Sequence, residues 1–85
     1  MSRFVRIVAR IKSGGGTVTY SDLKHVLNKL GYVEQKTGKT SGSRVAFYQD
    51  ELIHLIRLHK PHPGNELKQY QIKLIKEELE EKKLI

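Results

Sequence analysis

Arg44-Val45-Ala46-Phe47-Tyr48-Gln49-Asp50-Glu51-Leu52-Ile53-His54-Leu55-Ile56-Arg57-Leu58-His59 alternates in polarity on both sides of a short polar break. Period-two alternation marks strands that turn one face to a core and the other to water. It predicts a strand over about 43–48, with Val45 and Phe47 facing one way and Arg44, Ala46 and Tyr48 the other. Gln49-Asp50-Glu51 forms a turn into a further strand over about 52–59, where Ile56 and Leu58 alternate with Arg57 and His59. One face of this pair is apolar and the other basic.

Upstream, another strand is expected over about 32–36, joined to the next by the polar loop Lys36-Thr37-Gly38-Lys39-Thr40-Ser41-Gly42. Before it, Tyr20, Leu23, Val26, Leu27 and Leu30 make a helical stripe. Thr19 is its N-cap with Asp22 three residues on, and Gly31 is its stop. Phe4, Ile7, Val8 and Ile11 give a shorter amphipathic helix that ends at Ser13 and the triple glycine 14–16. Downstream, the two prolines of Lys60-Pro61-His62-Pro63-Gly64-Asn65 break regular structure. A last helix is expected over about 69–83, with Ile72, Ile75 and Leu79 inward and pairs such as Lys76 with Glu80 and Glu78 with Lys82 along its surface. A three-stranded antiparallel sheet with one wet face needs helices on the other. The expectation is an α+β fold, α-β-β-β-α as in double-stranded-RNA-binding domains, with an extra N-terminal helix. We read residues 1–85 as one domain, in which 1–16 form a helical arm and glycine hinge and 17–85 the core.

At 85 residues with no cysteine, packing or a partner must supply the stability that disulfides give other small domains. The absence of cysteine suits a reducing cytoplasm. No apolar stretch approaches the roughly 20 residues of a bilayer span, and the basic start of the chain does not lead into an apolar signal core. The net charge of +7 is unevenly placed. Residues 1–65 carry eleven bases against four acids, whereas residues 66–85 balance five Lys against five Glu. A polyanion would meet the first three quarters of the chain, although charge by itself does not separate RNA from DNA or from an anionic surface.

Three segments resemble the HicA toxins of bacterial toxin-antitoxin pairs. Leu27-Asn28-Lys29-Leu30-Gly31-Tyr32 resembles that family's amphipathic helix ending in Gly-aromatic. Gly42-Ser43-Arg44-Val45-Ala46-Phe47 resembles its Gly-Ser-His-x-x-aromatic strand, and Pro61-His62-Pro63-Gly64-Asn65-Glu66-Leu67-Lys68 its Pro-His-Pro-Gly-x-Glu-Leu segment. The likeness runs from Tyr20 to about Leu79 and makes 17–85 the HicA-like part of the chain. It implies a cytoplasmic toxin that binds messenger RNA, cleaves it without a metal or cofactor, and is restrained by a HicB antitoxin. One departure stands out, because the family's catalytic histidine after Gly-Ser is Arg44 here. An imidazole can exchange a proton near neutral pH, whereas a guanidinium stays charged and can only bind or stabilise phosphate.

The residues expected to grip RNA are Lys36, Lys39, Thr40, Ser43, Arg44, Arg57 and Lys60. Those expected at the chemistry are Arg44, with His59 or His62 moving the proton. His25 reads as a surface residue and His54 as half-buried. His54, His59 and His62 have no cysteine and no well-placed carboxylate to complete a metal site. Gly38-Lys39-Thr40 echoes a phosphate-binding loop but lacks its first glycine, position 33 being Val33. Arg44 leaves two further readings open: an RNA-binding module without nuclease activity, and a module whose basic face chiefly meets an acidic antitoxin.

Overall fold

The computed structural model describes residues 2–36, 44–61 and 64–85. These form helices α1 (Arg3–Ser13), α2 (Tyr20–Lys29) and α3 (Gln69–Glu81), and strands β1 (Tyr32–Lys36), β2 (Arg44–Gln49) and β3 (His54–His59). The architecture is α+β in the order α-α-β-β-β-α, which is the α-β-β-β-α of double-stranded-RNA-binding domains with one helix added in front. None of the described helices is long and apolar enough to cross a membrane.

The sheet is antiparallel in the order β1-β2-β3, so β2 is central. Its inner face gathers Tyr32, Phe47 and Ile56, all essentially inaccessible to solvent. Leu23, Val26 and Leu27 of α2 and Ile72, Ile75 and Leu79 of α3 complete the same apolar cluster. Ile7 and Ile11 of α1 also belong to it, and α1 packs on both other helices. The apolar stripes read from the sequence thus face the core, with Phe4, Val8, Tyr20 and Leu30 only partly buried against it.

The helix ends follow their capping chemistry. At α2 the Thr19 hydroxyl accepts from the Asp22 amide at 3.0 Å, and the Asp22 carboxylate accepts from the Thr19 amide at 3.1 Å. Arg3 reaches the same carboxylate at 3.1 Å and so clips α1 to α2. Beyond α2, Gly31 has φ +92°, and a Cβ there would lie 2.5 Å from Gln49 Nε2. That amide donates to the Leu30 carbonyl at 3.0 Å while its oxygen accepts from the Glu51 amide at 2.8 Å. Glycine at 31 lets the buried Gln49 fasten the end of α2 to the β2–β3 turn.

Boundaries depart from expectation where the backbone turns left-handed. β3 starts at His54 rather than about residue 52, because Ile53 has φ +49° and closes a turn by donating to the Asp50 carbonyl at 3.3 Å. α3 stops at Glu81 rather than about residue 83, because Lys83 has φ +58° and the Leu84 amide turns back to the Leu79 carbonyl at 2.9 Å. β2 runs on to Gln49, one residue beyond expectation. Glu78, expected to pair with Lys82, instead places its carboxylate 3.4 Å from His54 Nε2. His54 is only 9% exposed, more deeply buried than expected. Its Nδ1 is hydrogen-bonded to the Tyr32 hydroxyl at 2.5 Å. Burial, with the Glu78 charge adding to it, pushes the Tyr32 phenol up to about 12.

Testable outcomes follow at two places, the cap of α2 and the turn before β3. Thr19→Ala should lower stability by about 1 kcal/mol, a fall in Tm of roughly 4–8 °C for a domain of this size, read by thermal unfolding. Although burial pushes the Asp22 carboxyl up, the Thr19 amide and Arg3 outweigh it and hold it below its ordinary value of 3.8. Its contribution is therefore present above about pH 4 and lost as pH falls through the lowered value, so Asp22→Asn should make the acid loss of stability shallower. Secondly, a β-branched residue at positive φ is strained, and Ile53 is 79% exposed. Ile53→Asn, better suited to that conformation, should raise stability by about 1 kcal/mol in denaturant titration. Unchanged or lower stability would show that Ile53 carries no strain.

Candidate nucleic-acid interface

The face of the sheet turned away from the core is built by register. Arg44 of β2 lies directly opposite His59 of β3, Ala46 opposite Arg57, and Tyr48 opposite Leu55. On the other side Gln35 of β1 pairs with Ala46, and Val33 with Tyr48. The outer face therefore consists of three cross-strand rows: Arg44 and His59; Gln35, Ala46 and Arg57; and Val33, Tyr48 and Leu55. Arg44, Arg57 and His59 are all exposed.

A depression of ≈ 570 Å³ opens on this face, lined by Gln35, Arg44, Ala46, Leu55, Arg57 and His59 among others. Ala46 shares the outer face as expected, yet it is only 3% exposed. It sits on the central strand between the longer side chains of Gln35 and Arg57, so its small methyl forms the floor. Basic side chains around a concave floor suit a phosphodiester, since guanidinium groups bind phosphate oxygens in bidentate fashion.

Buried amides and ion pairs hold the surroundings of this site. Gln71 is 5% exposed, and its Nε2 donates to the His59 carbonyl at 2.9 Å while its Oε1 accepts from the Lys68 amide at 3.0 Å. The start of α3 thereby fixes the end of β3, where His59 stands. Further along, the Tyr20 amide donates to the Asn65 carbonyl at 2.7 Å and the Leu67 amide to the Val18 carbonyl at 2.8 Å. Residues 65–67 are thus tied to the start of α2. The Tyr20 hydroxyl donates to Glu34, whose other oxygen is 3.1 Å from Lys24 Nζ. That hydroxyl contact outweighs burial and holds the Glu34 carboxyl below the usual carboxylate range, with Lys24 assisting. Burial first, then the Glu34 contact, pushes the Tyr20 phenol well up.

The structure brings together Arg44, Arg57 and His59 of the residues singled out in the sequence. Lys60 is placed elsewhere, its ammonium 5.5 Å from the centre of the Tyr20 ring on the α2 side of the sheet. Lys36 closes β1, and nothing is described of its side chain. Lys39, Thr40, Ser43 and His62 lie outside the described residues. His54 and His59 lie on opposite faces of β3, because five residues separate them and faces alternate. Among the described residues, no three His, Cys, Asp or Glu side chains gather in a group that could hold a metal ion. Gln35 and Gln71 were not apparent in the sequence. Gln35 becomes visible only through its pairing with Ala46, and Gln71 only through a hydrogen bond twelve residues back along the chain.

No curated protein and no solved structure matches this chain. A family model described as the HicA toxin of bacterial toxin-antitoxin matches residues 20–81, from the first residue of α2 to the last of α3. The matched span contains the whole sheet and both helices flanking it in sequence, leaving α1 outside, and on that evidence the chain belongs to the HicA toxin family.

Proposed function

We propose that this chain is a toxin that binds messenger RNA on the outer face of its sheet and cuts it as a metal-independent mRNA interferase. The observation that carries the reading is the direct pairing of Arg44 with His59 on the solvent side, with Arg57 in the neighbouring row. Where the family motif has a histidine, this chain has Arg44, and an imidazole stands across the strand pair from it. His59 takes the proton from a ribose 2′-hydroxyl, whose oxygen attacks the adjacent phosphorus. Arg44 and Arg57 stabilise the charge gathered on the phosphoryl oxygens. The bond from phosphorus to the 5′-oxygen breaks, leaving a 2′,3′-cyclic phosphate. The departing oxygen receives a proton from His62, three residues after His59 in the sequence. Lys36, Lys39, Thr40 and Ser43 supply further contacts to the RNA backbone, which need donors more than a fixed order.

Family membership implies an antitoxin partner. In this reading the partner is HicB-like, the pair acts in the cytoplasm, and no cofactor takes part. Arg44 itself favours a second reading, in which RNA is bound but not cut, because a guanidinium cannot carry the proton.

Induced expression with growth and RNA integrity as readouts separates the two. The parent should arrest growth and lose RNA. His59→Ala should slow cleavage by roughly 10²- to 10⁴-fold, the usual contribution of a general base. Arg57→Ala should weaken binding and lower the salt dependence by about one phosphate contact. Intact RNA in the parent, with cleavage appearing in Arg44→His, would establish the binding-only reading. Undiminished cleavage in His59→Ala would remove His59 from the mechanism.

A further inference from the structure

We infer that the depression over Ala46 seats one unpaired nucleobase, stacked against Tyr48, so that the outer face takes single-stranded RNA in preference to a duplex. The inference rests on the reading of this face as an RNA surface and adds which form of RNA it takes. Along β2 the outward side chains run Arg44, Ala46, Tyr48, a long base, a methyl and an aromatic ring. That methyl floors the hollow of ≈ 570 Å³, which is within the usual range for a small-molecule site and so has room for a base. Gln35 on one flank offers an amide that can both donate to and accept from a base edge, and Arg57 on the other offers a guanidinium.

Tyr48 is half-buried and follows Ala46 on the same face, directly opposite Leu55, which itself lines the hollow. Its other register partner, Val33, is 63% exposed. The row Val33, Tyr48 and Leu55 is therefore an apolar and aromatic shelf beside a basic, polar row. Phosphate binding needs no such shelf. An unstacked base does, because its π face gains on an aromatic ring and its edge finds polar groups nearby. Bases inside a duplex are already stacked on one another, and an A-form helix is gripped through phosphates and 2′-hydroxyls without an aromatic shelf. Tyr48 thus has the role of a stacking platform and Ala46 that of the clearance over which the base lies.

The test is the anisotropy of a labelled 2′-O-methyl oligonucleotide, which lacks the attacking hydroxyl and is not cut, added to the full chain as a single strand or as a duplex over a range of salt. The parent should bind the single strand more tightly. Tyr48→Ser should weaken that binding by roughly tenfold with an unchanged salt slope, while Tyr48→Phe should retain it, since stacking needs the ring and not the hydroxyl. Ala46→Val, a residue suited to a strand, should weaken binding by filling the floor, and its melting curve checks folding independently of Tyr48. Equal affinity for both RNA forms, or no loss in either Tyr48→Ser or Ala46→Val, would overturn the base seat while leaving the RNA reading intact. A parent that binds neither form would overturn both and leave the face to a protein partner.

Discussion

The antiparallel register between β2 and its two neighbours is the constraint on which the rest of the structure depends. Because side chains alternate along a strand, one register decides both faces at once. With Phe47 opposite Ile56 the inner face closes under the helices, and the same pairing sets Arg44 against His59 outside. A slip of one residue would bury the basic row and expose Phe47. Core and candidate site are therefore two consequences of a single alignment, and the apolar cluster that stabilises the fold also holds the site's geometry.

Two buried glutamines carry this alignment to the ends of the elements. Gln49 joins the end of α2 to the turn after β2, and Gln71 joins the start of α3 to the last residue of β3. A buried amide with both ends satisfied fixes orientation as well as distance, since losing either partner leaves a polar group stranded away from water. In the proposed mechanism Gln71 matters because it holds the backbone of His59. The Tyr20, Glu34 and Lys24 group does similar work on the opposite side of the sheet, where it also engages Lys60. Part of the positive charge is thus paired within the molecule, Arg3 with Asp22 and Lys24 with Glu34. The charge offered outward on the sheet is more local than the total of +7 suggests.

Membership of the HicA toxin family, together with Arg44 at the motif's histidine position, frames the chemistry as a question of where an imidazole can stand. On an antiparallel sheet the nearest alternative to a residue is its cross-strand partner on the same face, and here that partner is His59. In the proposed function, a proton carrier moved across one strand pair would still reach a phosphodiester held by Arg44 and Arg57.

The sequence by itself determined the element order, the buried stripe of each helix, the capping box at Thr19 and the two-faced strands, because each is a local periodicity or cap that neighbouring residues specify. It also carried the family motifs at residues 27–32, 42–47 and 61–68. Strand limits were legible only to within a residue or two, since the left-handed turn at Ile53 has no glycine or asparagine to announce it. Tertiary structure alone decided which polar residues meet. The pairing of His59 with Arg44, the placing of Lys60 over Tyr20, the contact of His54 with Tyr32 and Glu78, and the hollow over Ala46 all join residues far apart in the chain. Their positions follow from register and helix docking, which depend on the packing of the whole core rather than on any local pattern.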